Sequence, residues 1–201
     1  MPDDDPLGGA RRVLVYGVTG SGKTTLAERL GHLTGLPWYS VDDLTWEPGW
    51  VAVPHDEQRR RIAAICARPE WILDTAYARW RDIPLARAEV VVALDYPRRV
   101  SLQRLVRRTV ARWWSGTTIC NGNRESPRMM VSRESIVLWH FKSFGRKRRR
   151  IHGWMAQDGG PTVVRLTRPR DTEAWLCRVS GASPRCCGRL KLREGRLQPD
   201  G

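Results

Sequence analysis

The residues Gly17-Val18-Thr19-Gly20-Ser21-Gly22-Lys23-Thr24-Thr25 set glycines, a lysine and hydroxyls at the spacing G-x-x-x-x-G-K-[ST], which suits a phosphate chain. Glycines let successive backbone N–H groups turn inward on an anion, where a Cβ would obstruct the approach. A helix starting there would add its positive dipole end. In this reading Gly17, Gly20, Ser21, Gly22, Lys23, Thr24 and Thr25 bind the phosphates of ATP. Lys23 reaches the β- and γ-phosphates and the Thr24 hydroxyl ligates Mg²⁺. The alternative is an ordinary glycine turn. The flanks decide against it: Val13-Leu14-Val15-Tyr16 reads as a buried parallel strand, and Leu26, Leu30 and Leu33 share one helical face.

Acids at strand ends come next. Glu70-Trp71-Ile72-Leu73-Asp74 reads as a strand closing on Asp74, a second Mg²⁺-side ligand beside the loop. Its alternative role is a turn or helix cap. Leu36 to Val41 reads as another strand, with Asp42 and Asp43 at its carboxyl end, where open α/β sheets bind ligands. Asp42 is expected to orient an acceptor; the alternative is capping the next segment. Ser40 is the weaker candidate of the three.

Arg104 and Arg108 stand four apart on a helix expected from Pro97 to about Trp114, so they share a face and are candidates to neutralise a transferring phosphoryl group. Arg107 lies on the same helix, and a solvated basic face is the alternative. Trp46, Trp50 and Tyr77 could clamp a flat ring, whereas Trp71, Trp139 and Trp175 read as core. His140 reads as structural, and Lys147-Arg148-Arg149-Arg150 as a solvated run or a weak nucleic-acid patch.

The elements that must hold these residues follow from periodicity. Strands at 13–16, 36–41, 70–74, 90–95 and 162–166 alternate with helices at 24–33, 56–68, about 83–87, 97–114, 131–155 (with a possible break at Gly145) and 171–179. That alternation predicts an α/β fold, a five-stranded parallel sheet with helices on both faces. Residues 1–10 read as a disordered lead, 11–179 as one domain, 44–53 as a loop or lid segment, about 115–130 as a lid region and 180–201 as a disordered basic tail.

Composition narrows the class. The 201 residues suffice for one domain with a substantial core. No run of about 18 apolar residues suggests a membrane span, and Met1 to Pro6 has no signal-peptide character. Five cysteines show neither zinc-ligand spacing nor a disulfide framework, which points to a reduced, cytoplasmic setting. The formal charge of +14 concentrates between Arg98 and Arg150, where Glu125 and Glu134 are the only carboxylates. Such a stretch suits nucleic acid or a pocket for polyphosphates.

Three segments together resemble the adenylate-kinase group of nucleoside monophosphate kinases: Gly17 to Thr24, Trp71-Ile72-Leu73-Asp74 ahead of Thr75-Ala76-Tyr77, and Leu94-Asp95-Tyr96-Pro97 followed by Arg104 and Arg108. With Asp42-Asp43-Leu44, Trp46 and Pro48-Gly49-Trp50, the chain is more closely similar to a bacterial subgroup of adenylate-kinase-like, or DNA topology modulation, proteins. Arg133-Glu134-Ser135 and Phe141-Lys142 correspond to its lid-side charges. The resemblance covers about residues 11–179. It implies a phosphate-loop NTPase fold of the three-layer monophosphate-kinase type, ATP and Mg²⁺ as cofactors, and γ-phosphoryl transfer to a nucleoside monophosphate. The run after Asp74 departs from the adenylate-kinase pattern, so Arg79 or Arg81 is the candidate for its AMP-binding arginine. Two other readings stand beside it: an ATP-dependent nucleic-acid-associated protein, and a kinase acting on a sugar or nucleoside with Asp42 as base.

Overall fold

The computed structural model describes residues 6–115 and 136–181. In chain order the elements are β1 (Arg12–Gly17), α1 (Lys23–Thr34), β2 (Trp38–Tyr39), α2 (Val41–Thr45), β3 (Trp46–Glu47), β4 (Val51–Ala52), α3 (His55–Cys66), β5 (Trp71–Leu73), α4 (Asp82–Leu85), β6 (Val90–Leu94), α5 (Arg98–Ser115), α6 (Ile136–Met155), β7 (Thr162–Leu166) and α7 (Pro169–Val179).

Strand β1 is central. The five-stranded sheet runs β2-β5-β1-β6-β7 with every pairing parallel, as expected. Its middle strands are buried on both faces, which is why they read as unbroken apolar runs rather than alternating ones. The pleat sends Val13 and Val15 to one face, against Leu26 and Leu30 of α1 and Trp175 and Leu176 of α7. Leu14 and Tyr16 face the other side, against Ile62 and Ile65 of α3, Trp80, and Ile151 of α6. Trp71 and Trp175 are core, as read, and Trp80 joins them.

Four local expectations are corrected. Strand β2 is only two residues long, because Ser40 caps a helical turn (Oγ accepting from Asp43 N, 3.5 Å) that takes up Val41, Asp42 and Asp43. Segment 44–53 is not a plain loop: β3 and β4 pair as an antiparallel hairpin, turned by Gly49 and Trp50 in left-handed backbone. Helix α6 is unbroken at Gly145. Residues 6–10 form a turn that buries Leu7 in the core, so this part of the lead is ordered. The lid region, Arg133 to Ser135 and the basic tail with Cys186-Cys187 lie outside the described residues, as does the side chain of Trp139.

Candidate active site

Glycines shape the phosphate loop between β1 and α1. Gly20 has φ +79°, and a Cβ there would sit 2.4 Å from Ser101 O and 2.8 Å from Leu105 Cβ of α5. A side chain at Gly17 would strike Ser21 Oγ at 2.8 Å and Leu94 O at 2.9 Å. Only bare backbone fits at either place. Helix α1 then starts from Gly22, φ +93°, with no side chain capping its first turn, so its N-terminal amides open toward a ligand.

Four of the loop's carbonyls have side-chain donors. Gly17 O accepts from Lys147 Nζ at 2.9 Å, and Val18 O from Lys23 Nζ at 3.1 Å and Ser21 Oγ at 2.8 Å. Thr19 O accepts from His140 Nδ1 at 3.0 Å, which fixes the imidazole proton on that nitrogen. Ser21 O accepts from Arg104 Nη1 at 3.3 Å. His140 is thus structural as read, and buried, with its pKa lowered by burial and by nearby cations despite the bond to Thr19.

Beneath the loop, Thr24 Oγ1 donates to Asp74 Oδ2 at 2.6 Å, and Val41 N donates to Asp74 Oδ1 at 2.9 Å. Burial raises the Asp74 pKa above the ordinary carboxylate range, the bonds from Thr24 and Val41 oppose this, and Asp42 adds to it. Lys23 is lowered by burial, with Asp74 and Asp42 acting against that and Arg108 with it. Asp42 accepts a hydrogen bond from Tyr77 OH. The sequence candidates Lys23, Thr24, Asp74, Asp42 and Arg104 are therefore gathered around one loop, and Arg108 is close enough to act on Lys23. Arg107 is exposed.

Thr24 and Asp74 offer hard oxygen donors, which suit Mg²⁺. Among the described residues no cluster of three or more histidines, cysteines or acids could hold a metal unaided. That fits an ion held mainly by phosphates and water.

The basic run contradicts its reading as a solvated strip. Lys147 reaches the loop, Arg150 Nη1 donates to Tyr16 OH at 2.9 Å, and Arg148 lies 3.4 Å from Asp95 Oδ1, leaving Arg149 exposed. Asp95 is buried and also meets Arg165 at 2.7 Å and His152 at 3.5 Å. Lys147 is the neighbour of the loop that the sequence reading did not single out. The spacing of Lys147, Arg150, Ile151 and Trp154 (a 3–4 residue period) was the signal that one side of the run faces inward. Trp46 and Trp50 pack on each other edge to face at 5.7 Å, out on the hairpin, and Tyr77 packs on Trp80. Arg79 contacts His55, and Arg81 is placed near Arg150, which acts with burial to lower its pKa. Exposed Lys142 is not drawn into the site, and the neighbouring Phe141 lies 5.2 Å from the Arg98 guanidinium.

No helix among the described residues is long and apolar enough to cross a membrane. No protein-family model matches the chain and no curated protein matches it by sequence. Solved structures do. Shikimate kinase from Acinetobacter baumannii, in complex with shikimate, is similar at TM-score 0.51 and 16% identity, over 92% of this chain and 98% of that one. Shikimate kinase from Bacteroides thetaiotaomicron is similar at TM-score 0.50 and 14% identity, over 86% and 98%. A gluconokinase from Sinorhizobium meliloti 1021 overlaps at TM-score 0.46 and 18% identity, over 85% and 94%, and no argument rests on it. At such identities the likeness establishes the fold: a parallel five-stranded sheet with helices on both faces, as in phosphate-loop kinases.

Proposed function

We propose that this chain transfers the γ-phosphoryl group of MgATP to a small acceptor, in the first place a nucleoside monophosphate, in the manner of adenylate-kinase-like proteins. The observation that carries the reading is the 2.6 Å bond between Thr24 and Asp74 directly under a loop whose lysine and amides suit a triphosphate. In this reading Lys23 and the amides of Gly20 to Thr25 hold the phosphates, and Thr24 and Asp74 hold the Mg²⁺ side. Bound Mg²⁺ supplies charge neutralisation on the phosphate oxygens. Arg104 and Arg108 face the charge that develops on the phosphoryl group, since such transfer needs positioning and electrostatics more than covalent help. An acceptor oxygen forms the new bond to the γ-phosphorus as the bond to the β–γ bridging oxygen breaks, and ADP leaves with that electron pair. A monophosphate acceptor is already anionic and needs no base.

A hydroxyl acceptor is the second reading, favoured by Asp42, whose carboxylate is oriented by Tyr77 and would serve as the base. The shikimate kinases that share the fold are named for a hydroxyl compound. The inward turn of Lys147, Arg148 and Arg150 removes much of the sequence argument for a nucleic-acid strip.

The test is ATP consumption with Mg²⁺ across nucleoside monophosphates, nucleosides, sugars and sugar acids. Acceptor-dependent ADP formation is expected, and Lys23→Ala should lower it by about a hundredfold or more with the fold intact. Retained turnover in that variant would sink the mechanism.

A further inference from the structure

Lys147 mirrors Lys23. Lys23 Nζ rests on Val18 O at 3.1 Å, and Lys147 Nζ rests on the preceding carbonyl, Gly17 O, at 2.9 Å. One lysine comes from the start of α1, the other from the middle of α6, and they meet at consecutive positions of the same loop. The Lys147 ammonium also lies 5.5 Å from the centroid of the Tyr16 ring. Gly17 O is its one hydrogen-bond acceptor among the described residues. Its charged surroundings are Lys23 and Arg150, which act against its protonation, and Asp42, which acts for it; burial lowers its pKa more than any of these.

A half-buried ammonium with three N–H groups and a single neutral acceptor is under-satisfied. A polyphosphate in the loop is the natural partner, and Lys23 has the same resting place although its sequence position marks it as a phosphate ligand. We propose that Lys147 is a second phosphoryl-binding lysine: with nucleotide bound, its ammonium leaves Gly17 O for an oxygen of the γ-phosphoryl group and holds that group during transfer. This rests on the phosphotransfer reading above. Lys147 transfers no proton in this step, and the bonds made and broken are those at the γ-phosphorus alone. Assigned to the terminal phosphoryl group, that contact distinguishes triphosphate from diphosphate.

The test compares dissociation constants for the Mg²⁺ complexes of ADP and of the non-hydrolysable analogue AMP-PNP, in wild type, Lys147→Met, Lys147→Arg and Lys147→Gln. The expected result is a loss of about tenfold or more for AMP-PNP in Lys147→Met, with ADP changed less than about twofold. Lys147→Arg should recover most of the loss. Lys147→Gln, which keeps a donor for Gly17 O, should bind ADP normally and AMP-PNP poorly, and so serves if the methionine variant fails to fold. Unchanged AMP-PNP affinity in the variants, or an equal loss for both nucleotides, would overturn the proposal. A wild type that binds and discriminates the nucleotides yet transfers phosphate to no acceptor would defeat the phosphotransfer reading, and with it the role of Lys147 during transfer, while the contact of Lys147 with the γ-phosphoryl group would be retained. A wild type that binds neither nucleotide defeats both.

Discussion

Asp74 carries an electrostatic cost in the metal-free protein. Burial and the neighbouring Asp42 raise its pKa, against the bonds from Thr24 and Val41 N. A carboxyl whose folded pKa lies above its unfolded value binds more protons when folded, so its contribution to stability declines as pH rises through that interval. At neutral pH the ionised carboxylate is therefore a liability that a cation relieves. Asp74→Asn can keep both hydrogen bonds, its amide donating to Thr24 and its carbonyl accepting from Val41. It should melt no lower than wild type at pH 7 without metal, with the difference closing as the buffer becomes acidic. It should also lose the stabilisation that Mg²⁺ with nucleotide gives wild type. Thermal melts across pH, with and without MgADP, check both halves. The Thr24–Asp74 pair was legible in the sequence, because the loop motif fixes one partner and an acid closing an apolar strand marks the other. Lys147 was not. Four consecutive basic residues look alike in sequence, and the one cue to which of them turn inward is their spacing from Ile151 and Trp154, which pack in the core.

Among the elements, α5 presses hardest on the loop. A Cβ at Gly20 would overlap Ser101 O at 2.4 Å, whereas one at Gly22 would find only the Arg104 Nη1 atom at 3.5 Å. Both glycines have positive φ, so each alanine substitution carries backbone strain of about 1 kcal/mol. Gly20→Ala adds a backbone clash, for a total of about 2–4 kcal/mol, and should push α5 off the loop. Urea denaturation should rank Gly20→Ala well below Gly22→Ala. The long elements were legible because their apolar residues recur at the right period over several turns or fill whole strands. The hairpin β3–β4 was not, since two-residue strands have no period to read. Nor was α2, where Ser40 captures a backbone N–H and converts the expected strand end into a helical turn.

For the molecule as a whole, Asp95 is the pin between layers. It ends β6 and gathers Arg165 of β7 with Arg148 and His152 of α6, so one buried carboxylate ties the sheet edge to the helix that carries Lys147. Asp95→Ala should cost about 2–3 kcal/mol, less than at a fully buried pair because Arg148 and His152 remain half in solvent. Calorimetry would register this as a lower melting temperature, and a variant that melts with wild type would remove Asp95 from this role. The net charge of +14 was plain from composition, yet the turn of Arg104 and Lys147 onto the loop was a property of the fold.

The loop is also spread widely along the chain. Ser21 meets Arg104 across 83 positions, Thr19 meets His140 across 121, and Gly17 meets Lys147 across 130. On the ribosome, at about 5–20 residues per second, the glycine-rich segment emerges on the order of ten seconds before its last support. Until α6 is synthesised, the nascent chain holds the full phosphate-binding sequence with two of its carbonyl ties still unmade.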